Sequence, residues 1–253
     1  MNLTLSSDFA VALALALVRA IAWVSICPPF SNPSIPRMVK IGFAGSLAFY
    51  AAGTLQHDTL PQSNAQVMVQ IVVQALVGVV LGYVVALFVT AVSAAGRLID
   101  LFSGVNLPPA LDPLSLVQSS IFGQFYNLVL TALLFTTGAV VVIVTGFLTS
   151  FKAVGTSFPP TTLGTLSQII TADVVTFFAA AIEIAAPLIA VLFATQIVLA
   201  LLAKSAPQIN VFVFGMPLQI VMALVGVSVS LIALPGDVVT LVGRATSQLF
   251  GGL

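Results

Sequence analysis

The sequence predicts an all-α integral membrane protein of about six long, kinked apolar helices arranged as bent hairpins. Three observations predict it. Of 253 residues, 60% are hydrophobic and 6% charged, whereas a soluble domain carries about 25% charged residues. Seven Lys+Arg and seven Asp+Glu cannot clothe a chain of this length for water without large apolar patches. Six long apolar stretches recur between polar or Pro-rich breaks, and prolines fall inside the last two, so a simple bundle of straight, matched spans is not expected.

The stretches run over residues 9–27, 40–55, 67–95, 121–150, 170–203 and 211–234. A bilayer core of about 30 Å needs roughly 20 apolar residues per helix. At 1.5 Å per residue, the third would extend about 43 Å and the fifth about 51 Å, but the second only about 24 Å. The long ones therefore either tilt and kink or hide apolar surface against protein outside the bilayer. Pro187 removes the N–H that would bond the carbonyl of Glu183, and Pro217 does the same to Val213. Neighbouring helices can re-satisfy such groups, so the kinks fit a membrane bundle as well as bent hairpins. The first stretch follows Asp8 and no basic residue, carries Arg19 at its centre and lacks a small-residue cleavage pattern. It reads as a retained segment, not a removable signal peptide. Turns after the first, third and fifth stretches hold Arg37, Lys40, Arg97 and Lys204, against Lys152 and Arg244 on the other side. That bias favours the Pro-rich first loop facing the cytoplasm, with both termini outside.

Zero net charge and the lack of a basic cluster exclude nucleic acid and an anionic lipid surface as electrostatic partners. Membrane lipid is expected as a solvent. Cys27 is the single cysteine and His57 the single histidine, so there is no internal disulfide, no metal-ligand spacing and no expected cofactor. No Ser-His or Cys-His pair can be assembled within the apolar stretches, and neither HExxH nor GxSxG occurs. An aspartyl pair would have to draw on Asp100, Asp112 or Asp173 without a surrounding motif. The chain is not expected to be an enzyme.

Arg19, Asp173 and Glu183 sit within apolar stretches, where a lipid-facing charge costs roughly 2.5–3.5 kcal/mol at the midplane. Each should face protein or water, either on a substrate or proton path or in interhelical pairing. Arg97 and Asp100, three apart, can pair on one helical face. Gly78 and Gly82 have the small-xxx-small spacing that lets two helix backbones approach. The 18 Phe residues, against three Tyr and one Trp, suit dry packing more than interfacial anchoring. Phe102, Phe122 and Phe125 flank the longest irregular loop, 103–120, whose prolines prevent continuous helix. At membrane depth such a loop must be surrounded by protein or a water-filled cavity and can constrict a channel; an ordinary exposed connection fits the letters equally.

Two blocks carry a more specific signal. PPFSNPSIPRMVKIG at 28–42 and LALLAKSAPQINVFVFGMPLQI at 199–220 resemble the two most recognisable blocks of the FliR/SctT family of type III secretion export-gate proteins. The matching positions are Pro29, Phe30, Ser31, Pro36, Arg37, Lys40 and Gly42 in the first, and Pro207, Gln208, Asn210, Phe212, Gly215 and Pro217 in the second. Matching length, six apolar stretches and the Asp112-Pro113 loop extend the resemblance over essentially the whole chain. It implies a single membrane export-gate domain over 1–253, with a FliP-like part to about residue 165 and a FliQ-like hairpin from about 166. FATQIVLALLAKSAPQI at 193–209 resembles the FliQ hairpin turn, with Thr195-Gln196 before the bend.

The resemblance further implies a non-enzymatic core component of the flagellar export gate in the bacterial inner membrane at the basal body. Its expected partners are FliP-like and FliQ-like subunits, an FlhB-like switch protein and unfolded export substrates in transit. It places a plug at residues 103–120, represented here by Ser103, Gly104, Asn106, Pro108, Pro109, Asp112 and Pro113 together with the neighbouring Phe102. A virulence-secretion homologue shares these features; Gly215-x-Pro217 and the lack of a charged tail lean flagellar. A stand-alone secondary transporter remains open through Asp173, Glu183 and the broken helices near Pro187 and Pro217, although no internal repeat is visible.

Overall fold

Apolar stretches with no water to satisfy their backbone have one economical solution, the helix, whose hydrogen bonds are all internal. A computed structural model describes residues 7–55, 63–104, 120–155, 161–206, 208 and 210–251. It contains α1 (Ser7–Ile26), α2 (Arg37–Leu55), α3 (Asn64–Ser103), α4 (Ile121–Thr136), α5 (Ala139–Ala153), α6 (Thr161–Ser205) and α7 (Val211–Gly251). Among the described residues all regular structure is helical, and the chain is an all-α membrane protein. The apolar parts of α1, α2, α3, α6 and α7 are each long enough to cross a bilayer, and α4 and α5 taken together would make a sixth span.

The expected stretch 121–150 is interrupted. Thr137 ends α4 with its N–H on the carbonyl of Leu133, and its hydroxyl donates to the same oxygen at 2.7 Å. Gly138 then takes φ 74°, a left-handed conformation that costs any residue with a Cβ. A Thr-Thr-Gly triplet inside an apolar run is the local signal. By contrast, α6 continues for 45 residues through Pro187, and α7 for 41 through Pro217 and Pro235. At 1.5 Å per residue these helices approach about 60–70 Å, twice a hydrocarbon core.

The chain divides into two units, one drawn from 1–88, 138–174 and 242–253, the other from 89–137 and 175–241. In the first, α1 packs along α2, and α2 also meets α5. Trp23 stacks on Phe147 with centroids 4.3 Å apart, and Phe30 stacks on Phe43 at 4.7 Å. The small-xxx-small pair has its neighbour here: a Cβ at Gly78 would overlap the carbonyl oxygen of Arg19, and one at Gly82 would come within 3.1 Å of that of Trp23. The amino-terminal half of α3 thus lies backbone to backbone on α1.

In the second unit α6 and α7 meet at Gly226, where any Cβ would collide with the side chain of Leu188, one residue beyond Pro187. Tyr126 of α4 reaches α7 through a 2.5 Å hydroxyl contact with Ser230. Gly96 of α3 sits against the backbone of Phe122 and Gly123.

Candidate functional site

Asn106, Pro108, Pro109, Asp112 and Pro113 lie outside the described residues, but both ends of their loop are described. Ser120 is the N-cap of α4, with extended φ and ψ and its side chain accepting from the Gly123 amide, the usual reason for Ser at this position. Asp100, fully buried on the last turn of α3, completes the cap. Its Oδ1 accepts from the amide of Phe122 at 3.2 Å, its Oδ2 from Gly123 at 3.4 Å, and Ser120 Oγ donates to Oδ2. A carboxylate at a helix amino terminus satisfies orphan N–H groups and meets the positive end of the macrodipole.

This corrects the expected Arg97–Asp100 pair. Asp100 turns inward to α4, and Arg97 is exposed, with its Cγ lying beside Gly123. An exposed guanidinium needs no partner within the fold, while the buried carboxylate requires donors that the α4 terminus supplies.

The other end of the loop is also held. Ser103 is buried, its hydroxyl donating to the carbonyl of Asp100 at 3.1 Å. Gln196 of α6 donates from Nε2 to the carbonyl of Phe102 at 3.0 Å, capping one of the last α3 carbonyls. Gly104 turns out of the helix at φ 68°, where a Cβ would lie 3.2 Å from Oε1 of Gln219 on α7. Phe102 and Gly104 are half-buried. The described residues on either side, Gly104 and Ser120, thus stand at a stem in which α3 is bonded to α4 and α6, with Gln219 of α7 beside Gly104.

The intramembrane charges divide. Arg19 is fully buried in the first unit. Its Nε donates to Gln74 Oε1 at 2.6 Å, Nη1 to the carbonyl of Ser150 at 3.1 Å, and Nη2 to those of Val154 at 2.7 Å and Gly155 at 3.3 Å. Phe151 lies under the guanidinium at 4.2 Å. One planar cation thus caps the carboxyl end of α5, where the dipole favours positive charge, and Gln74 adds a second donor to Gly155. Asp173, also in the first unit, is 1% exposed, and neither carboxylate oxygen has a hydrogen-bond partner among the described residues. Glu183 is exposed on α6 of the second unit, within electrostatic reach of Asp237 on α7.

The first motif block builds a turn. Pro28-Pro29 is a cis peptide, Ser31 donates its amide to Cys27 at 3.0 Å, and the carbonyl of Pro36 accepts from Val39 and Lys40 to open α2. Lys40 Nζ donates to the carbonyl of Ser31 at 3.0 Å, Phe30 joins the aromatic stack, Arg37 is exposed, and a Cβ at Gly42 would meet nothing within 4 Å. In the second block Pro207 lies outside the described residues, as does the side chain of Phe212. Gln208, Asn210 and Pro217 are exposed and Gly215 is buried.

The sequence pattern of the bacterial export proteins, family 1, matches residues 10–245. The chain belongs to that family. Three similar proteins are each called flagellar biosynthetic protein FliR. The Bacillus subtilis one is 28% identical over 220 residues, covering 86% of this chain and 85% of the relative. That of Escherichia coli is 26% identical over 219 residues, covering 87% and 82%. That of Aquifex aeolicus is 26% identical over 243, covering 95% and 92%. In this export-family chain Asp100, Ser120, Gln74 and Gln219 are the site residues that sequence reasoning passed over or misread; only Ser120, an N-cap letter before an apolar run, left a local signal.

Proposed function

We propose that this protein is a core structural, non-enzymatic component of the flagellar type III protein export gate, forming part of the secretion pore wall and its closure. The observation that carries this reading is the family match over residues 10–245, joined to relatives named for flagellar biosynthesis. Physical support comes from α6 and α7. Their apolar spans are only 22% and 17% buried, and Phe178, Ile182, Phe193, Ile197 and Leu201 are exposed along α6. Helices twice the depth of a bilayer cannot hide such faces in lipid alone. FliP-like and FliQ-like subunits cover them, and an FlhB-like switch protein adjoins the assembly in the inner membrane at the basal body. The division into a FliP-like part to about residue 165 and a FliQ-like hairpin beyond it belongs to the same reading.

Residues 103–120 act as the plug, with the stem at Asp100, Ser120 and Gln196 holding it in place while unfolded substrates are excluded. Deleting 105–119 is expected to raise ion and small-solute leakage while the chain still copurifies with two other small membrane proteins. A deletion strain that assembles and stays tight overturns the plug; a chain that extracts alone overturns the gate.

A further inference from the structure

Ile21, Val24 and Ser25 of α1 and Arg37, Lys40, Ile41 and Ala44 of α2 line an open cavity of about 290 Å³. It lies where the α1 apolar span ends at Ile26 and the α2 span begins at Arg37, and the ends of a span that crosses a bilayer fall at headgroup depth. Four of its lining residues are aliphatic and two are cationic. Arg37 makes no hydrogen bond or ion pair among the described residues, and Lys40 gives one of its three N–H groups to Ser31. Arg37 and Lys40 also stand in the first turn of α2, which contains no acid. Two cations beside the positive end of a helix dipole repel one another unless an anion joins them. No carboxylate lines the cavity, and Asp8 stands at the opposite end of α1.

We infer that this groove binds one anionic phospholipid, with its phosphate between Arg37 and Lys40 and the start of an acyl chain along Ile21, Val24, Ile41 and Ala44. The charge complementarity is local, so it coexists with the chain's zero net charge. A zwitterionic lipid brings its own cation to the same place and should bind less well. A soluble phosphate ester lacks the chain that the aliphatic residues would cover.

The test uses the full chain purified and delipidated in detergent, titrated with phosphatidylglycerol, phosphatidylcholine or glycerol 3-phosphate and read by native mass spectrometry. Phosphatidylglycerol should bind at least about tenfold tighter than either comparator. Arg37→Gln should weaken it about fivefold, and Arg37→Gln with Lys40→Gln about twentyfold, following the usual contribution of a basic residue near a membrane surface. Lys40→Gln also removes the bond to Ser31 and can disturb the turn, so Ser25→Asp provides an independent check. Ser25 is exposed, and a carboxylate there would neutralise the cations internally and abolish the preference. Equal affinity for the two lipids, or a preference that survives Arg37→Gln and Ser25→Asp, overturns the inference. Full competition by glycerol 3-phosphate overturns the lipid assignment, and occupation by a protein carboxylate would show as phosphatidylglycerol failing to bind at all.

Discussion

Ser120 donates its hydroxyl to Asp100 across the base of the loop, joining the last turn of α3 to the first of α4. A buried carboxylate that accepts from a hydroxyl and two amides concentrates the stability of this stem in one side chain. Asp100→Ala would strand the amide of Phe122, which has no other partner from the N-cap side chain, and is expected to cost about 1–3 kcal/mol. Asp100→Asn keeps one acceptor oxygen and should fall between. Thermal unfolding of the detergent-purified chain reads both, and an Asp100→Ala protein as stable as the parent would refute the capping role.

Close backbone approach makes a second expectation specific to position. Gly78→Ala pushes a methyl group into the carbonyl of Arg19, and so against the helix whose guanidinium caps α5. Overpacking of this kind costs typically about 1–3 kcal/mol. Gly42→Ala, in helix and open space, should instead be neutral or stabilise by up to about 1 kcal/mol, because alanine is the better helix former. Melting temperatures that move in the same direction for both would contradict the packing of α3 on α1.

How much of this was legible in the letters depends on the scale. Helical class, membrane residence and the long prolyl segments follow from hydropathy and spacing, because lipid leaves the backbone few alternatives. Gly78 and Gly82 announced a close neighbour but not α1, since spacing records that a contact exists without recording its other half. Asp100 was misread for a related reason. Arg97 is near in sequence, whereas the α4 amides that hold Asp100 are more than 20 positions away, and a tertiary donor outcompeted a local one. The break at Gly138 carries a signal in its Thr-Thr-Gly triplet, but hydropathy averages over three residues and is blind to one chosen for its φ.

Asp173 invites the opposite kind of substitution. A buried carboxylate with neither oxygen hydrogen-bonded among the described residues is costly to keep within an apolar segment. Asp173→Asn should therefore raise the thermal stability of the isolated chain, and Asp173→Leu should raise it further. If either variant melts lower, the carboxylate is held by an interaction that the isolated fold depends on. Export measured in the same variants separates stability from use: a stabler chain with impaired secretion would mark Asp173 as a working group.

Cys27 offers a chemical probe of the first turn. It is fully buried, and burial alone pushes its thiol far above the ordinary value of 9.0. Thiolate is the reactive species, so maleimide should not label Cys27 in the folded chain at neutral pH and should label it once the chain is denatured. Because the folded pKa lies above the unfolded one, ionisation favours the unfolded state. The contribution of this group to stability is then constant below about pH 9 and declines as pH rises beyond it. Cys27→Ser places a hydroxyl in the same packed site and should remove that alkaline decline while leaving the rest of the profile unchanged. Rapid labelling of the native chain at pH 7 would mean that the Pro28-Pro29 turn opens to solvent, and would loosen the packing on which the Arg37–Lys40 groove is built.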